Sequence, residues 1–208
     1  TDVCLVIGPE HDHVRDHYGK RHPPRRIRVS FAIQEKALGT ADAVLAAEQF
    51  AAGESFVVLN SDNYYPATAL AALRAATPPA IVAFDRDTLV RAGNVEPERT
   101  TRFGALEIDD AGHLRRIVAR RPAESTGTAG PVYSSMNCWL FTSDIFHACR
   151  AVPLSARGEY ELPQAVQLAI DSGADFNAIK VSAPVLDLSS RGDIAGVAHR
   201  LKEVTVLL

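Results

Sequence analysis

The chain has 208 residues, 22 Lys+Arg against 25 Asp+Glu for a formal charge of −3, and 47% hydrophobic residues. That length suits one large domain, able to bury roughly 70% of the surface of its unfolded chain without a disulfide or structural metal. The charge balance excludes the broad basic field that non-specific nucleic-acid binding needs, and no apolar run reaches the ~20 residues of a membrane span.

In chain order, Val3 to Ile7 is an apolar run that reads as a strand. The chain opens on it without an initiator Met or a signal peptide, as if within a fold. His11, His13 and His17 have a spacing that can bind zinc, but they are expected to form an exposed polar face. Lys20, Arg21, Arg25, Arg26 and Arg28 read as a solvated connector. Ile27, Val29, Phe31 and Ile33 alternate with less apolar residues, the period of a strand with one buried face. Ala43, Ala47 and Phe50, beside Val44 and Ala51, form a helical stripe, and Leu70 with Leu73 marks a helix after Pro66. Phe56 to Leu59 and Ala80 to Phe84 are continuous apolar runs, expected as central strands covered on both faces. This βαβα alternation argues a mostly parallel sheet with crossover helices.

The second half adds antiparallel pairing. Gly104 to Asp109 and Leu114 to Ala119 flank Asp110-Ala111-Gly112-His113, a hairpin signal. The Pro, Ser, Thr and Gly residues between Pro122 and Ser135 read as a mobile loop. Asn137 to Phe141 is a strand, followed by a helix with Thr142 or Ser143 as cap and Ile145, Cys149 and Val152 inward. Leu162, Ala165, Val166 and Ala169 form the core stripe of another helix, and Ser190-x-x-Asp193 opens a last one carrying Ile194, Val197, Ala198 and Leu201. The expected fold is α/β, a mixed, mostly parallel sheet flanked by helices in a single domain over residues 1–208. The three scattered cysteines, Cys4, Cys138 and Cys149, read as buried reduced thiols of a cytoplasmic protein.

Three segments carry candidate chemistry. Leu59-Asn60-Ser61-Asp62-Asn63 ends a strand in a carboxylate, where open α/β sheets bind ligands. Val185-Leu186-Asp187-Leu188-Ser189-Ser190 sets Asp187 among apolar neighbours. Two such carboxylates converging would make the hard-oxygen site that Mg²⁺ uses. Gln34 to Ala43 runs from strand to helix through Gly39, with an amide able to read a nucleobase edge. Trp139 and the Tyr64-Tyr65 pair are candidates to wall a ligand pocket, with Trp139 expected rather in the core.

The Gln34 to Ala43 segment resembles the Q-x-x-P-L-G-T-A segment of the sugar nucleotidyltransferases. Phe56 to Asn63 is similar to their strand ending in L-G-D-N. Phe103 to Asp109 through Val118-Ala119-Arg120-Arg121-Pro122 is similar to their Y-G-V hairpin and E-K-P. Ser135 to Phe141 resembles their sugar-contacting strand, Arg157-Gly158-Glu159-Tyr160-Glu161-Leu162 their R-G-E-x-E-L, and Leu186 to Ser190 their W-x-D-x-G-T. Six segments in the family's order span nearly the whole chain.

The resemblance implies a Rossmann-like nucleotidyltransferase fold. It implies Mg²⁺-dependent transfer of a nucleotidyl group from a nucleoside triphosphate to a sugar 1-phosphate, giving a nucleotide sugar and pyrophosphate. Asp62 and Asp187 would hold the metal, with Arg121 catalytic beside phosphate. Gln34, Leu38, Gly39, Thr40, Phe103, Gly104, Ser135 and Asn137 would bind substrate, with Gln34 and Gly39 at the base and Gly104 and Asn137 at the sugar. Partners would be these two small molecules and a possible second copy, with no nucleic acid and no membrane. In-line displacement needs positioning and charge stabilisation, not a nucleophilic side chain.

The chain departs from the pattern in three places. No G-x-G occurs in these 208 residues, so the family's opening strand and glycine-rich phosphate loop, with a helix a unit on the order of 30 residues or more, are expected to be missing from this sequence, which reads as a single domain incomplete at its N-terminus. Arg120-Arg121 stands for Glu-Lys, and Ser61 and Ser189-Ser190 stand where glycine or Gly-Thr is usual. Two rival functions follow: a catalytically silent nucleotide-sugar-binding regulatory module, and a metal-dependent glycosyltransferase using Ser61-Asp62-Asn63.

Overall fold

A computed structural model of the chain describes residues 1–100, 103–118 and 131–205. The expected Pro122 to Ser135 loop lies mostly outside these residues, and Arg120 and Arg121 lie wholly outside them. The described chain divides into two compact units, one built on Thr1–Glu54 with Ser143–Leu168, the other on Ser55–Thr142 with Ala169–Glu203.

The first unit opens with a parallel pair. β1 (Asp2–Ile7) and β2 (Arg28–Ile33) run in register from Asp2↔Arg28 to Ile7↔Ile33, and the Gln34 N–H continues the ladder onto the Ile7 carbonyl at 2.9 Å. Between them lie α1 (Asp12–Asp16) and a π-helical turn, His17–Arg21. The basic connector is exposed as expected; Lys20 pairs with Asp16 and Arg28 with Asp2. His11 meets His13 edge-on and His17 lies against His22, but no group of three His, Cys, Asp or Glu side chains among the described residues is placed to hold a metal.

α2 (Thr40–Ala46) and α3 (Glu48–Ala51) replace the single expected helix. The break at Ala47 resets the helical phase, so Ala41, Val44 and Ala51 are buried while Phe50 faces solvent. The unit is completed by two helices. In α7 (Ile145–Ala151), Ile145 and Cys149 are buried as expected, as is Val152 just beyond it; the N-cap is Asp144 rather than Thr142 or Ser143, and the Ser143 carbonyl accepts the Phe146 N–H. In α8 (Leu162–Asp171), the stripe begins on buried Leu162, Ala165 and Val166.

In chain order, the second unit holds β3 (Phe56–Val58), β4 (Asn63–Tyr64), α4 (Ala67–Ala75), β5 (Ala80–Asp85), α5 (Arg86–Ala92) and α6 (Pro97–Thr100). These are followed by β6 (Ala105–Ile108), β7 (His113–Val118), β8 (Tyr133–Phe141), β9 (Phe176–Val181), β10 (Leu186–Asp187) and α9 (Asp193–Leu201). Its sheet has the order β3-β8-β5-β9-β7-β6, and β8 also pairs with β6. The α/β class and the mixed sheet agree with the sequence, but the parallel majority does not. Among the described pairings of this sheet only β5–β9 is parallel. β8 is the cause, since it inserts antiparallel between β3 and β5, where a βαβα reading would pair them directly.

β5 is the buried central strand the sequence predicts, with Ala80 to Phe84 inaccessible. Among the described residues β3 instead ends its sheet's order, and Val57 is 45% exposed. Apolar runs alone do not separate a central strand from an edge. The core lies on both faces of β8 because successive side chains alternate. Met136, Cys138 and Leu140 join Leu73, Phe84 and Leu89 on one face. On the other, Trp139 stacks on Phe141 at 5.5 Å and both meet Phe176 edge-on.

The β6–β7 hairpin forms where expected, with Gly112 at φ 89° and the Asp109 carboxylate accepting the His113 N–H and Arg115 Nε–H. α9 starts as expected, the Asp193 carboxylate accepting the Ser190 N–H and hydroxyl, but only Val197 of its stripe is buried. The cysteines are free; Cys138 and Cys149 are buried, whereas Cys4 is half-buried on the two-stranded pair. No described helix is long and apolar enough to cross a membrane.

Candidate active site

In the first unit, the segment after β2 is held by backbone rather than by charge. Gly39 adopts φ 112°, ψ 178°, a conformation essentially confined to glycine. A Cβ there would lie 2.6 Å from the Tyr160 carbonyl oxygen and 2.8 Å from its nitrogen. The close approach lets the Tyr160 N–H donate to the Leu38 carbonyl at 2.7 Å and the Ala41 N–H to the Tyr160 carbonyl at 2.9 Å. Thr40 Oγ1 accepts the Leu162 N–H at 2.9 Å. The Arg157 to Leu162 segment is thereby locked to the Leu38-Gly39-Thr40 turn.

Gln34 donates through Nε2 to the Gly39 carbonyl at 3.0 Å and to Asp42 Oδ2 at 2.8 Å. Both partners are acceptors, so the amide orientation follows from chemistry, and Oε1 makes no hydrogen bond among the described residues. The same turn lines a cavity of about 360 Å³ with Gln34, Lys36, Leu38 and Asp42 on its wall.

In the second unit, β10 pairs antiparallel with β4, placing Leu186 against Tyr64 and Asp187 against Asn63. The Leu188 N–H donates to the Asp62 carbonyl at 2.8 Å. Asp62, 125 positions before Asp187 in sequence, thus directly precedes Asn63, the ladder partner of Asp187. Their surroundings differ. Asp62 is exposed, and its carboxylate makes no hydrogen bond or ion pair among the described residues. Asp187 is 3% exposed, its Oδ2 accepting from Arg99 Nη2 at 2.6 Å and its Oδ1 from the Ser189 hydroxyl at 2.5 Å. The Asn94 side chain clamps the Asp187 backbone, donating to its carbonyl and accepting from its N–H, both at 2.7 Å.

The Asp62 turn is also tied to β8. The buried Tyr65 hydroxyl accepts from the Asn60 N–H and from Asn63 Nδ2, and donates to the Met136 carbonyl at 2.6 Å. Burial pushes the Tyr65 hydroxyl far above the usual phenol range, so it stays a donor. Asn63 Oδ1 is buried with no hydrogen-bond partner among the described residues.

Next to this tie, Asn137 sits at φ 52° in the bulge of β8, and its Oδ1 accepts from Trp139 Nε1 at 3.3 Å. The Asn137 N–H donates to the Ser135 hydroxyl, and the Ser135 N–H to the Gly104 carbonyl at 3.0 Å. Phe103 packs partly buried on the Tyr65–Phe84 core. Of the candidate pocket walls, Trp139 and Tyr65 belong to the core, and only Tyr64, 43% exposed, is open to a ligand.

Sequence reasoning missed Arg99, Asn94, Asp42 and Tyr160, which act through distant partners. Only Asp42, eight positions beyond Gln34, lay within reach of a local pattern.

A model of the nucleotidyl transferase family matches residues 1–183. The chain belongs to that family. As a family member it is similar to the UTP–glucose-1-phosphate uridylyltransferase AglF of Haloferax volcanii, 27% identical over 204 residues that cover 98% of this chain and 78% of the relative. It is also similar to the glucose-1-phosphate thymidylyltransferase of Streptomyces griseus, at 28% over 207 residues. The nucleotidyl transferase chain spans 54% of that second relative's length. Among solved structures, a glucose-1-phosphate thymidylyltransferase from Bacillus anthracis, itself putative and in complex with a sucrose, superposes with TM-score 0.74 at 18% identity, over 99% of this chain and 78% of that one. A UDP-glucose pyrophosphorylase complexed with UDP-glucose gives 0.73 at 14%, over 97% and 81%. At these identities the structures establish the fold alone, the nucleotide-sugar transferase type of α/β fold.

Proposed function

We propose that the chain transfers a nucleotidyl group from a nucleoside triphosphate to a sugar 1-phosphate, releasing pyrophosphate, with Mg²⁺ as cofactor. The observation that carries this reading is the β4–β10 ladder, which sets Asp62 beside the Asp187 strand. The donor set suits a hard cation: two carboxylates, and the unpartnered Asn63 Oδ1 on the same two-stranded ladder. Mg²⁺ is commonly held by one or two carboxylates, its remaining positions filled by water and phosphate oxygens. Held by Asp62 and Asp187, it would offset the charge developing on the reacting phosphate.

The remaining roles belong to the chain itself. Gln34 presents Oε1 to an N–H on the base edge, its own donors being occupied by Gly39 and Asp42. Gly39 lets the ring approach the backbone, with Leu38 and Thr40 on either side. The Phe103-Gly104 turn, Ser135 and the Asn137 bulge receive the sugar, and Arg121 is assigned to phosphate on the sequence resemblance.

The test is pyrophosphate release by the full-length protein over a panel of sugar 1-phosphates and triphosphates. Turnover with at least one pair, falling about 10³-fold in Asp62→Ala, is expected if the metal contributes about 4 kcal/mol. No turnover with any pair, or unchanged turnover in Asp62→Ala, overturns the reading. A silent nucleotide-sugar-binding module is the second reading, favoured by the prior engagement of both Asp187 oxygens. It expects calorimetric binding of a nucleotide sugar without product formation.

A further inference from the structure

Arg99 extends its planar fork from α6 to two carboxylates at once. Nη2 reaches Asp187 Oδ2 at 2.6 Å and Nη1 reaches Asp193 Oδ1 at 2.9 Å. The three side chains are 20%, 4% and 13% exposed, so the pairing is sheltered from water and weakly screened by salt. The outer oxygens are also engaged, Asp187 Oδ1 by Ser189 and Asp193 Oδ2 by Ser190. One positive charge therefore faces two negative ones. Asp62, the residue before Asp187's ladder partner Asn63, carries no cation among the described residues.

A divalent ion shared by Asp62 and Asp187 would need an Asp187 oxygen, and it would stand beside a guanidinium that repels it. The arrangement offers Arg99 somewhere to go, because Asp193 can hold the fork while Asp187 is released. We propose that Arg99 is a built-in counter-cation that competes with the divalent metal for Asp187, with Asp193 as its alternative anchor. This rests on the reading of Asp187 as a metal ligand. Removing Arg99 should then strengthen metal binding, whereas removing Asp193 should weaken it, since the fork is left with Asp187 alone. A purely structural clamp would weaken binding in both cases.

The experiment is Mn²⁺ titration of the full-length protein without nucleotide, followed by electron paramagnetic resonance, for the parent, Arg99→Gln, Arg99→Lys, Asp193→Asn and Asp187→Asn. Arg99→Gln should bind Mn²⁺ about tenfold more tightly than the parent and Asp193→Asn severalfold more weakly. Arg99→Lys, which keeps the charge but loses the fork, should fall between parent and Arg99→Gln and serves if the Gln variant does not fold. If binding depends on Asp187 but neither Arg99 variant tightens it, the counter-cation role is overturned and the metal reading stands. If Asp187→Asn leaves Mn²⁺ binding unchanged, the metal reading itself falls and the counter-cation falls with it.

Discussion

The Gly39 turn and the Asp187 corner are both candidate ligand sites, yet they are held by different forces. The Gly39 turn is fastened by three neutral hydrogen bonds, two of them backbone to backbone, across a contact too close for any Cβ. The Asp187 corner is fastened by a sheltered ion pair network and a side chain that imitates a strand. The first should be intolerant of added volume and indifferent to charge. The second should be tolerant of small changes in shape and intolerant of unbalanced charge.

Four measurements would break or sharpen this contrast. The largest effect is expected for Gly39→Ala, which combines a glycine-only backbone with a backbone clash and should cost about 4 kcal/mol in urea unfolding. Gly112→Ala is the control: its φ is 89° but nothing lies within 4 Å of the added carbon, so about 1 kcal/mol is expected. Equal losses in the two variants would mean that the Tyr160 contact is loose.

Asp187→Ala should cost about 3 kcal/mol, at the lower end for a broken buried pair because Asp193 still partners Arg99. Asp187→Leu should do no better, since either change leaves Arg99 Nη2 and the Ser189 hydroxyl without their acceptor. Thr40→Val, nearly isosteric, leaves the Leu162 N–H without its acceptor and should cost about 1.5 kcal/mol, measured by the same unfolding curves.

The smallest effect concerns acid. The Ser190 hydroxyl, its N–H and Arg99 hold the Asp193 carboxyl below the usual carboxylate range against the opposing effect of burial. A group whose folded value is depressed stabilises above its unfolded value, about 3.9, and loses that contribution as pH falls through the folded one. Stability should therefore be level in this respect from pH 8 to 5 and decline below about pH 4, less steeply in Asp193→Asn. An unchanged acid slope in that variant would show that Asp193 is no more tightly bound as an anion than in the unfolded chain.

How much of this was legible beforehand depended on range. α8, the β6–β7 hairpin and the Ser190-x-x-Asp193 helix start rest on residues within a turn or two of each other, and the structure has them where periodicity places them. β3 and α2 misled because the deciding partner was remote. β8 separates β3 from β5, and a break at Ala47 turns Phe50 outward. At the site, Asp62 and Asp187 could be named as carboxylates at strand ends, but their different states could not. One is exposed and the other neutralised by Arg99, a residue with no periodic or motif signal.

The amino-acid order by itself determined the local elements, the six family-like segments and the identities of the candidate ligands, because each depends on spacing along one strand, turn or helix. The tertiary structure alone decided that β3 is not the central strand β5 is, that Tyr65 joins the core while Tyr64 stays open, and which carboxylate already has a cation. Those properties depend on burial and on charges brought together from distant positions. The strength of an ion pair is set by what surrounds it, and Arg99, Asp187 and Asp193 become neighbours only after the chain has folded.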